Sequence, residues 1–461
     1  MSGPAGGLAA ARVDGRWLLA AVGLAGFLTT LDNTVVTVAL PSIQHDLGAS
    51  LAALEWVATG YLLTFAGLMP AGGRLADVWG HRGTLLAGLA LFTVASLAAG
   101  LAATIHLLVA ARLVQGAGAA LVLPATLAVL AGQEERRRSA GVAVWMASGA
   151  GALALGPVAG GYLSQHAHWS WVFLLNVPLG AAVVALAAVA VPPSAVVARS
   201  LDAPGVLASA AFLAAGTFAL VHGGEHGYGS PAVAAALAVC AGGGAAFVLV
   251  ERRAADPMVD LRLFAVRAFA GGVAAQVLWG LGVNGVFFYT AIFLQEVLGF
   301  TPTGSGLAFV PLALLVVLVT PLAPTVERRL GAGPTVAAGL VLVAGGMAAA
   351  ATLEAGDGWG RLLPAVCAIG IGSALTMPLG SAVLGAVPPE RAGVAGGVFS
   401  VSREVSGLFG IAGTGAVVHA AGSFATGYAA GLLVAAGLVL AGALIAVRTL
   451  DGRAPGGREP K

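Results

Sequence analysis

Fourteen stretches of this chain are apolar over the length that a helix needs to cross a bilayer, which takes about 20 residues. A water-facing surface needs charge, and soluble domains carry about 25% charged residues. Here only 9% of the 461 residues are charged and 59% are hydrophobic. The sequence therefore predicts an all-α integral membrane protein. The predicted spans are 17–40, 54–73, 83–103, 107–130, 140–163, 171–191, 204–221, 231–250, 268–294, 305–324, 334–353, 362–384, 392–418 and 425–447.

The placement of basic residues tests this count of spans. If the N-terminus is cytoplasmic, the loops that follow even-numbered spans should be rich in Lys and Arg. Of the 22 basic residues, 19 fall in those loops or in the two tails. Only Arg361 falls on the other side, while Arg112 and Arg403 lie within spans. The pattern predicts fourteen spans in a cell membrane, with both termini cytoplasmic.

Composition narrows the partners further. The net charge is +2, and nothing in the sequence indicates a nucleic-acid partner. Cys240 and Cys367 both lie in predicted spans, and no Cys/His spacing resembles a metal site, so we expect no disulfide, metal or cofactor. Arginine accounts for 21 of the 22 basic residues, which is typical of a GC-rich bacterial genome. We expect the histidines in outer loops or at span ends to be solvated, namely His45, His106, His166, His168 and His419.

Two short segments recur along the chain. Residues 121–130 read LVLPATLAVL and residues 375–384 read LTMPLGSAVL, at an offset of 254. The tetrapeptide AGVA occurs at 140–143 and again at 392–395, at an offset of 252. Shared low complexity is the alternative explanation, because Ala/Leu-rich helices match easily. As a true repeat, the offset carries span 4 onto span 12 and span 5 onto span 13, a shift of eight spans.

A shift of eight spans predicts two six-helix halves with one extra helix pair between them. The halves would be residues 17–191 and 268–447, and the inserted pair, spans 7 and 8, would lie within 192–267. Residues 1–16 and 448–461 would be cytoplasmic tails. Parallel repeats of this kind place the substrate path between the halves and work by alternating access. The arrangement indicates a carrier, and we expect it to act as a monomer.

The segment between spans 2 and 3 reads GRLADVWGHR over residues 73–82. Gly73 and Gly80 permit a tight turn, while Asp77 and Arg82 can pair with neighbouring charges or helix ends. The segment closely resembles the loop signature of the major facilitator superfamily, in which it acts as a conformational latch. Val78 and His81 occupy positions that are commonly basic in the family. The alternative is a plain basic loop.

Span 5 is rich in small residues from 149 to 161 and contains Gly156, Pro157, Gly160 and Gly161. Small residues allow close contact between helices, and the Gly-Pro step loosens the backbone ladder. The pattern resembles the antiporter signature of proton-driven exporters in the same superfamily. Generic glycine-rich packing is the alternative.

Span 1 carries an acid, Asp32, within the run LDNTVVTVALP at 31–41, which is similar to the first-helix signature of the fourteen-helix drug:proton antiporters. A charge inside a span costs several kcal/mol, roughly, unless it is paired, hydrated or neutralised. The candidate counter-charge is Arg112, whose surroundings resemble the fourth-helix signature that the family links to proton transfer. By helical rise, both residues lie in the outer half of the membrane. A static structural ion pair is the alternative.

Span 13 holds a second charged pair, Arg403 and Glu404. The family often has arginine followed by a neutral amide here, so Glu404 is a departure. Adjacent helical residues point about 100° apart and need not pair with each other. Glu404 is either a second titratable site or the partner of a charge on another helix. Aromatic and polar residues within spans are candidates for lining a substrate cavity: Trp56, Tyr61, Trp145, Trp279, Asn284, Phe288 and Tyr289.

Taken together, the motifs resemble those of the fourteen-helix drug:proton antiporters over nearly the whole chain. The resemblance implies a major facilitator fold and export of hydrophobic or cationic drugs, driven by inward proton flow. An exporter of a physiological metabolite, such as an amino acid, sugar or siderophore, is the alternative on the same fold. A membrane enzyme would need clustered catalytic groups, and the sequence has none that we can identify. A sensor without transport activity is the remaining alternative.

Overall fold

The computed structural model describes residues 15–194, 202–254 and 257–450. Within these ranges the chain forms fourteen long helices and no strand, so the predicted all-α fold class is confirmed. The predicted tails lie almost entirely outside the described residues. Helices 1 to 14 run over Gly15–Leu47, Leu51–Trp79, His81–Gly100, Ile105–Ala131, Glu135–His166, Trp171–Ala190, Ala203–His226, Pro231–Arg253, Arg267–Glu296, Pro302–Leu330, Ala332–Ala350, Trp359–Gly385, Ala392–His419 and Phe424–Leu450.

Thirteen of the helices in the described ranges are long and apolar enough to cross a membrane. The fourteenth, helix 13, has 28 residues and is therefore long enough. It is less apolar because Arg403 and Glu404 lie near its middle. At most of their ends, the helices extend a few residues beyond the predicted spans. Polar flanking residues continue the helix outside the apolar run.

Prolines interrupt three of the helices. Helix 6 breaks at Leu175, helix 10 at Phe309, and helix 12 at 376–377. In each case a proline follows within three residues, at Pro178, Pro311 and Pro378 respectively. Proline lacks the backbone N–H and its ring crowds the carbonyl four residues earlier, so the hydrogen-bond ladder fails at this point. Each of the three breaks thus lies beside a proline, although other prolines, such as Pro41 and Pro124, lie inside uninterrupted helices.

The packing of helices repeats along the chain with a shift of eight. Helix 1 contacts helices 5 and 6, and helix 4 contacts helices 2 and 3. In the second half, helix 9 contacts helices 13 and 14, and helix 12 contacts helices 10 and 11. These contacts agree with the offset seen in the sequence repeat. The boundaries that we assign to the two halves remain a prediction.

The two inserted helices pack against each other and on the line where the halves meet. Helix 7 contacts helix 8, helix 2 of the first half and helix 13 of the second. Val221 of helix 7 shares a small buried cluster with Ala52 and Ala412, and Trp56 packs on it. The inserted pair thus covers one side of the interface between the halves.

The halves contact each other through helices 5 and 10, helices 2 and 13, and helices 1 and 9. We call these contacts the outer seam, because the contacts of Gly161 and Gly306 lie toward the end of the bundle that the charge pattern predicts to face outward. At helices 5 and 10, Gly161 lies against the Pro302 carbonyl and Gly306 against the Pro157 carbonyl. A Cβ atom at either glycine would overlap with the facing backbone. The seam is closed in this conformation.

Within the first half, helix 4 approaches helix 2 closely at Gly116. A Cβ atom there would overlap with the carbonyl oxygen of Tyr61 and the hydroxyl of Thr64. Only glycine fits without separating the two helices. Close approach through small residues is the main source of helix association in a membrane, because lipid is as apolar as the side chains.

We predict that Gly116→Ala destabilises the protein despite the better helix propensity of alanine. Alanine normally stabilises a helix interior by about 1 kcal/mol relative to glycine, but at Gly116 the added methyl group meets backbone. Gly149→Ala is the matched control, since no described atom outside its own helix turn lies within 4 Å of that Cβ position. The purified G116A variant should unfold several degrees below the parent on heating, and G149A should not. Equal unfolding temperatures for the two variants would contradict the packing argument.

Candidate functional site

Asp32 lies in the middle of helix 1 with no solvent exposure and accepts three hydrogen bonds from two other helices. The Oδ2 atom is 2.5 Å from Nη1 of Arg112 on helix 4. The Oδ1 atom accepts from Nε2 of Gln115 on helix 4 and from Nδ2 of Asn176 on helix 6, both at 2.7 Å. Asp32 and Arg112 thus form the ion pair predicted for them, and the carboxylate is fully supplied with donors.

The guanidinium of Arg112 is held by further contacts. Its Nε atom donates to the Val57 carbonyl at 3.0 Å, and Nη1 also donates to Gln115 at 2.6 Å. The ring of Tyr61 lies under the guanidinium, 4.3 Å from its centre. Such stacking stabilises a cation, more strongly when water is absent. Tyr61, a candidate cavity residue, therefore belongs to the wall of the ion-pair site in this conformation.

This geometry determines what the ion pair can do chemically. Burying two charges costs several kcal/mol per ion, roughly, unless attraction and hydrogen bonds offset it. Here they do so through one salt bridge and two amide donors. Asp32 has no exposed surface, so in this conformation the carboxylate is shielded from water.

Arg403 and Glu404 on helix 13 pair with each other. Oε1 of Glu404 accepts from Nε and Nη2 of Arg403 at 3.0 and 2.9 Å. Of the two alternatives for Glu404, pairing with a charge on another helix is not seen among the described residues in this conformation, because the carboxylate binds Arg403 of its own helix. The side chain of Arg403 is 48% exposed and that of Glu404 is 11% exposed. An exposed cation this deep in a span must face water and not lipid.

The segment that resembles the latch is mostly helical. Helix 2 continues to Trp79, so Gly73 and Asp77 lie in its last turns, and the turn itself is Gly80, with a φ of 81°. A positive φ favours glycine over all other residues. Arg82 lies in the first turn of helix 3, and its guanidinium donates to the Ala188 carbonyl near the end of helix 6. The prediction of a loop over 73–82 is therefore wrong, since the helix extends past the apolar run.

The segment that resembles the antiporter signature makes contact on two sides. Gly156 and Gly160 lie against Thr34 and the Val35 carbonyl of helix 1, close to Asp32. Gly161 faces helix 10 of the other half. Pro157 provides the carbonyl that meets Gly306. One short stretch of helix 5 thus links helix 1 to the outer seam. Its small residues lie between helix 1 and helix 10 and contact both.

The remaining candidate cavity residues fall into two groups. Phe288 and Tyr289 are buried in contact with each other, with ring centroids 4.8 Å apart. Trp145, Trp279 and Asn284 are half-buried. Both tryptophans have indole N–H groups that lack a hydrogen-bond partner among the described residues. By helical rise, Trp145 and Trp279 lie about 15 and 18 Å from the inner ends of helices 5 and 9, a depth similar to that of Arg403.

Sequence reasoning missed two titratable residues, Glu55 and His419. Glu55 falls at the start of span 2 and was not singled out, yet it has no exposed surface. The side chain of His419 is only 16% exposed and lies 3.5 Å from Glu55, so the expectation that it is solvated is wrong. Helix 13 continues past its predicted end and carries His419 into contact with helix 2. The sequence did hold one signal for this site, since Glu55 is the single acid in span 2.

Comparisons with known proteins agree with this architecture. The sequence profile of the Major Facilitator Superfamily matches residues 22–411. The cephamycin export protein of Amycolatopsis lactamdurans is 39% identical over 398 residues, covering 84% of this chain and 82% of that protein. The methylenomycin A resistance protein of Streptomyces coelicolor is 34% identical over 426 residues, covering 92% and 90%.

A solved structure supports the fold independently. A POT family transporter, crystallised with 5-aminolevulinic acid, superposes with a TM-score of 0.70 over 93% of this chain and 94% of its own, at 14% sequence identity. At this identity the likeness concerns the fold alone. Profile, relatives and fold together identify a transporter and not an enzyme. The chain belongs to the Major Facilitator Superfamily.

Proposed function

We propose that this protein exports antibiotics or other hydrophobic, cationic compounds across a bacterial cell membrane, driven by protons that enter in exchange. The relatives named for cephamycin export and for methylenomycin A resistance support the substrate class. The single observation that carries proton coupling is the Asp32–Arg112 pair, buried in the core of a carrier. An acid kept out of water by a removable counter-charge is the element that such coupling requires.

The conformation supports alternating access. The outer seam is closed by backbone contacts between helices 5 and 10. Arg403, deep in helix 13, is still half-exposed. Water therefore reaches the middle of the membrane from the other side, which we assign to the cytoplasm. A substrate entering there would meet Arg403 and Glu404, and the indole N–H groups of Trp145 and Trp279.

The orientation and assembly are part of the proposal. We assign both termini to the cytoplasm from the distribution of arginine, and we propose that one chain is the working unit. Each chain contains both halves and the whole interface between them, so no second copy is needed to complete a path. Labelling of single cysteines in the predicted loops with an impermeant reagent tests the orientation.

We predict that Asp32→Asn abolishes proton-driven export. Asparagine keeps the shape of the side chain but cannot gain or lose a proton. The measurement is the accumulation of a fluorescent cationic dye by expressing cells, with and without a protonophore. Asp46→Asn is the matched control, because Asp46 is an exposed acid on the same helix.

A second variant separates coupling from folding. Removing one partner of a buried pair costs about 3–5 kcal/mol, because the remaining charge is uncompensated. The double variant with Asp32→Asn and Arg112→Gln carries no uncompensated charge and should fold, but it should not export dye. Full protonophore-sensitive export by either variant would remove Asp32 from the mechanism.

We predict opposite effects from neutralising the two members of the helix 13 pair. Glu404→Gln leaves Arg403 as an unbalanced cation facing the cavity, so export of cationic compounds should fall on the order of tenfold relative to neutral ones. Arg403→Gln leaves Glu404 unbalanced and should raise the same ratio. The measurement is the ratio of the two export rates in each variant. Equal ratios in both variants would place the pair outside the substrate path.

A further inference from the structure

Glu55 is a second buried carboxyl, and it lies in the outer seam. It belongs to the second turn of helix 2, and its side chain has no exposed surface. The Oε1 atom accepts a hydrogen bond of 2.6 Å from the hydroxyl of Tyr289 on helix 9. The Oε2 atom is buried and has no partner anywhere in residues 15–194, 202–254 or 257–450. Glu55 thus has one strong donor where Asp32 has three.

The surroundings of Glu55 come from the opposite half of the carrier. Tyr289 and His419 belong to the second half, whereas Glu55 belongs to the first. Gly415 on helix 13 lies directly behind the carboxyl, and a Cβ atom there would be 2.6 Å from Oε1. The second half therefore seals Glu55 from water only while the outer seam is closed. When the halves separate at this end, the carboxyl loses these contacts and meets water.

The other titratable groups near Glu55 do not balance a charge on it. Helix 7 contributes Glu225, a partly exposed acid that acts on Glu55 as a like charge and lies 3.8 Å from His226. Tyr228 follows helix 7, and partial burial raises the pKa of its hydroxyl, so it carries no positive charge that could balance Glu55. Arg112 of helix 4 binds the Val57 carbonyl, about 200° around helix 2 from Glu55.

Among the residues that the structure describes, His419 is the one cationic candidate in contact with Glu55. Its Nδ1 atom lies 2.8 Å from the Gly415 carbonyl and 3.5 Å from Oε1 of Glu55. A ring nitrogen this close to a carbonyl carries the hydrogen and donates it there. The 3.5 Å contact is too long to replace a second hydrogen bond to the carboxylate. An ionised Glu55 would keep one bare, buried oxygen.

We propose that Glu55 must take up one proton for the outer seam to close. The neutral carboxylic acid loses far less hydration on burial than the carboxylate, so closure and protonation occur together. Asp32 differs because its donors belong to its own half and stay with it. This inference rests on the proposed function for alternating access, but not on the role of Asp32.

The sign of the pH dependence follows from linkage. There is a pH range in which Glu55 is ionised in the open state and protonated in the closed state. Within it, the closed state binds one proton more than the open state. In that window the ratio of closed to open molecules should fall about tenfold for each unit of rising pH. Below the ordinary range of a glutamic acid, both states carry the proton and the ratio should become constant.

The test measures the seam directly by pulsed electron paramagnetic resonance. Spin labels at Ala103→Cys and Gly422→Cys report the distance between the outer ends of the two halves, with Cys240 and Cys367 replaced by alanine. Both positions are exposed. The protein is reconstituted in lipid nanodiscs between pH 5 and 9. The parent should shift from a short to a long distance as pH rises, whereas Glu55→Gln should keep the short distance throughout.

Three further variants make the result decisive. Glu225→Gln is the matched control and should keep the tenfold slope, since that acid is partly exposed. If His419→Gln loses the slope and Glu55→Gln keeps it, the proton belongs to the histidine and the proposal is overturned. A parent distance that does not change with pH would also overturn the proposal. Asp32→Asn should keep the slope. If Asp32→Asn also exports dye normally, the proposed coupling fails while the role of Glu55 stands.

Discussion

A peptide group in hydrocarbon has no water to bond, and the whole architecture follows from that constraint. Each span must satisfy its own backbone, so the described chain is helical wherever it crosses. Lipid is as apolar as leucine, so the helices gain little by hiding hydrophobic side chains from it. They associate by close contact at small residues, as Gly116 does within a half and Gly161 does between halves. Any charge that remains inside needs a partner or a proton.

Two of the buried acids, Asp32 and Glu55, meet that requirement in different ways. Asp32 finds Arg112, Gln115 and Asn176 within the first half, so its partners can accompany it as the half moves. Glu55 finds Tyr289 and His419 across the interface, so its surroundings change whenever the halves separate. The first site is suited to hold a charge and to release it through an internal rearrangement. The second is suited to sense whether the carrier is closed.

The glycine-rich part of helix 5 connects these two levels of structure. Gly156 and Gly160 bring helix 1 against helix 5 at Thr34 and Val35, within one turn of Asp32, and Gly161 brings helix 10 against the same helix. Helix 1 is thus joined to the outer seam through one short stretch of helix 5. Helix 7 covers the opposite side of the seam, which gives the inserted pair a position where it can limit how far helices 2 and 13 separate.

The sequence by itself determined the fold class, the fourteen helices and the identity of the charged residues within spans, because apolar length and charge placement are local properties. Which charges on different helices pair with each other cannot be read from one helix; it follows from a family resemblance or from three-dimensional packing. Only the tertiary structure decided burial and the remaining pairs. Glu55 stands near a span end in the sequence, where an acid is unremarkable, and becomes fully buried because the second half folds over it. Arg403 and Glu404 pair with each other because an arginine side chain is long enough to overcome the 100° between neighbouring positions. Which side chains are buried, and which of several possible partners each one takes, depends on how the helices pack in three dimensions.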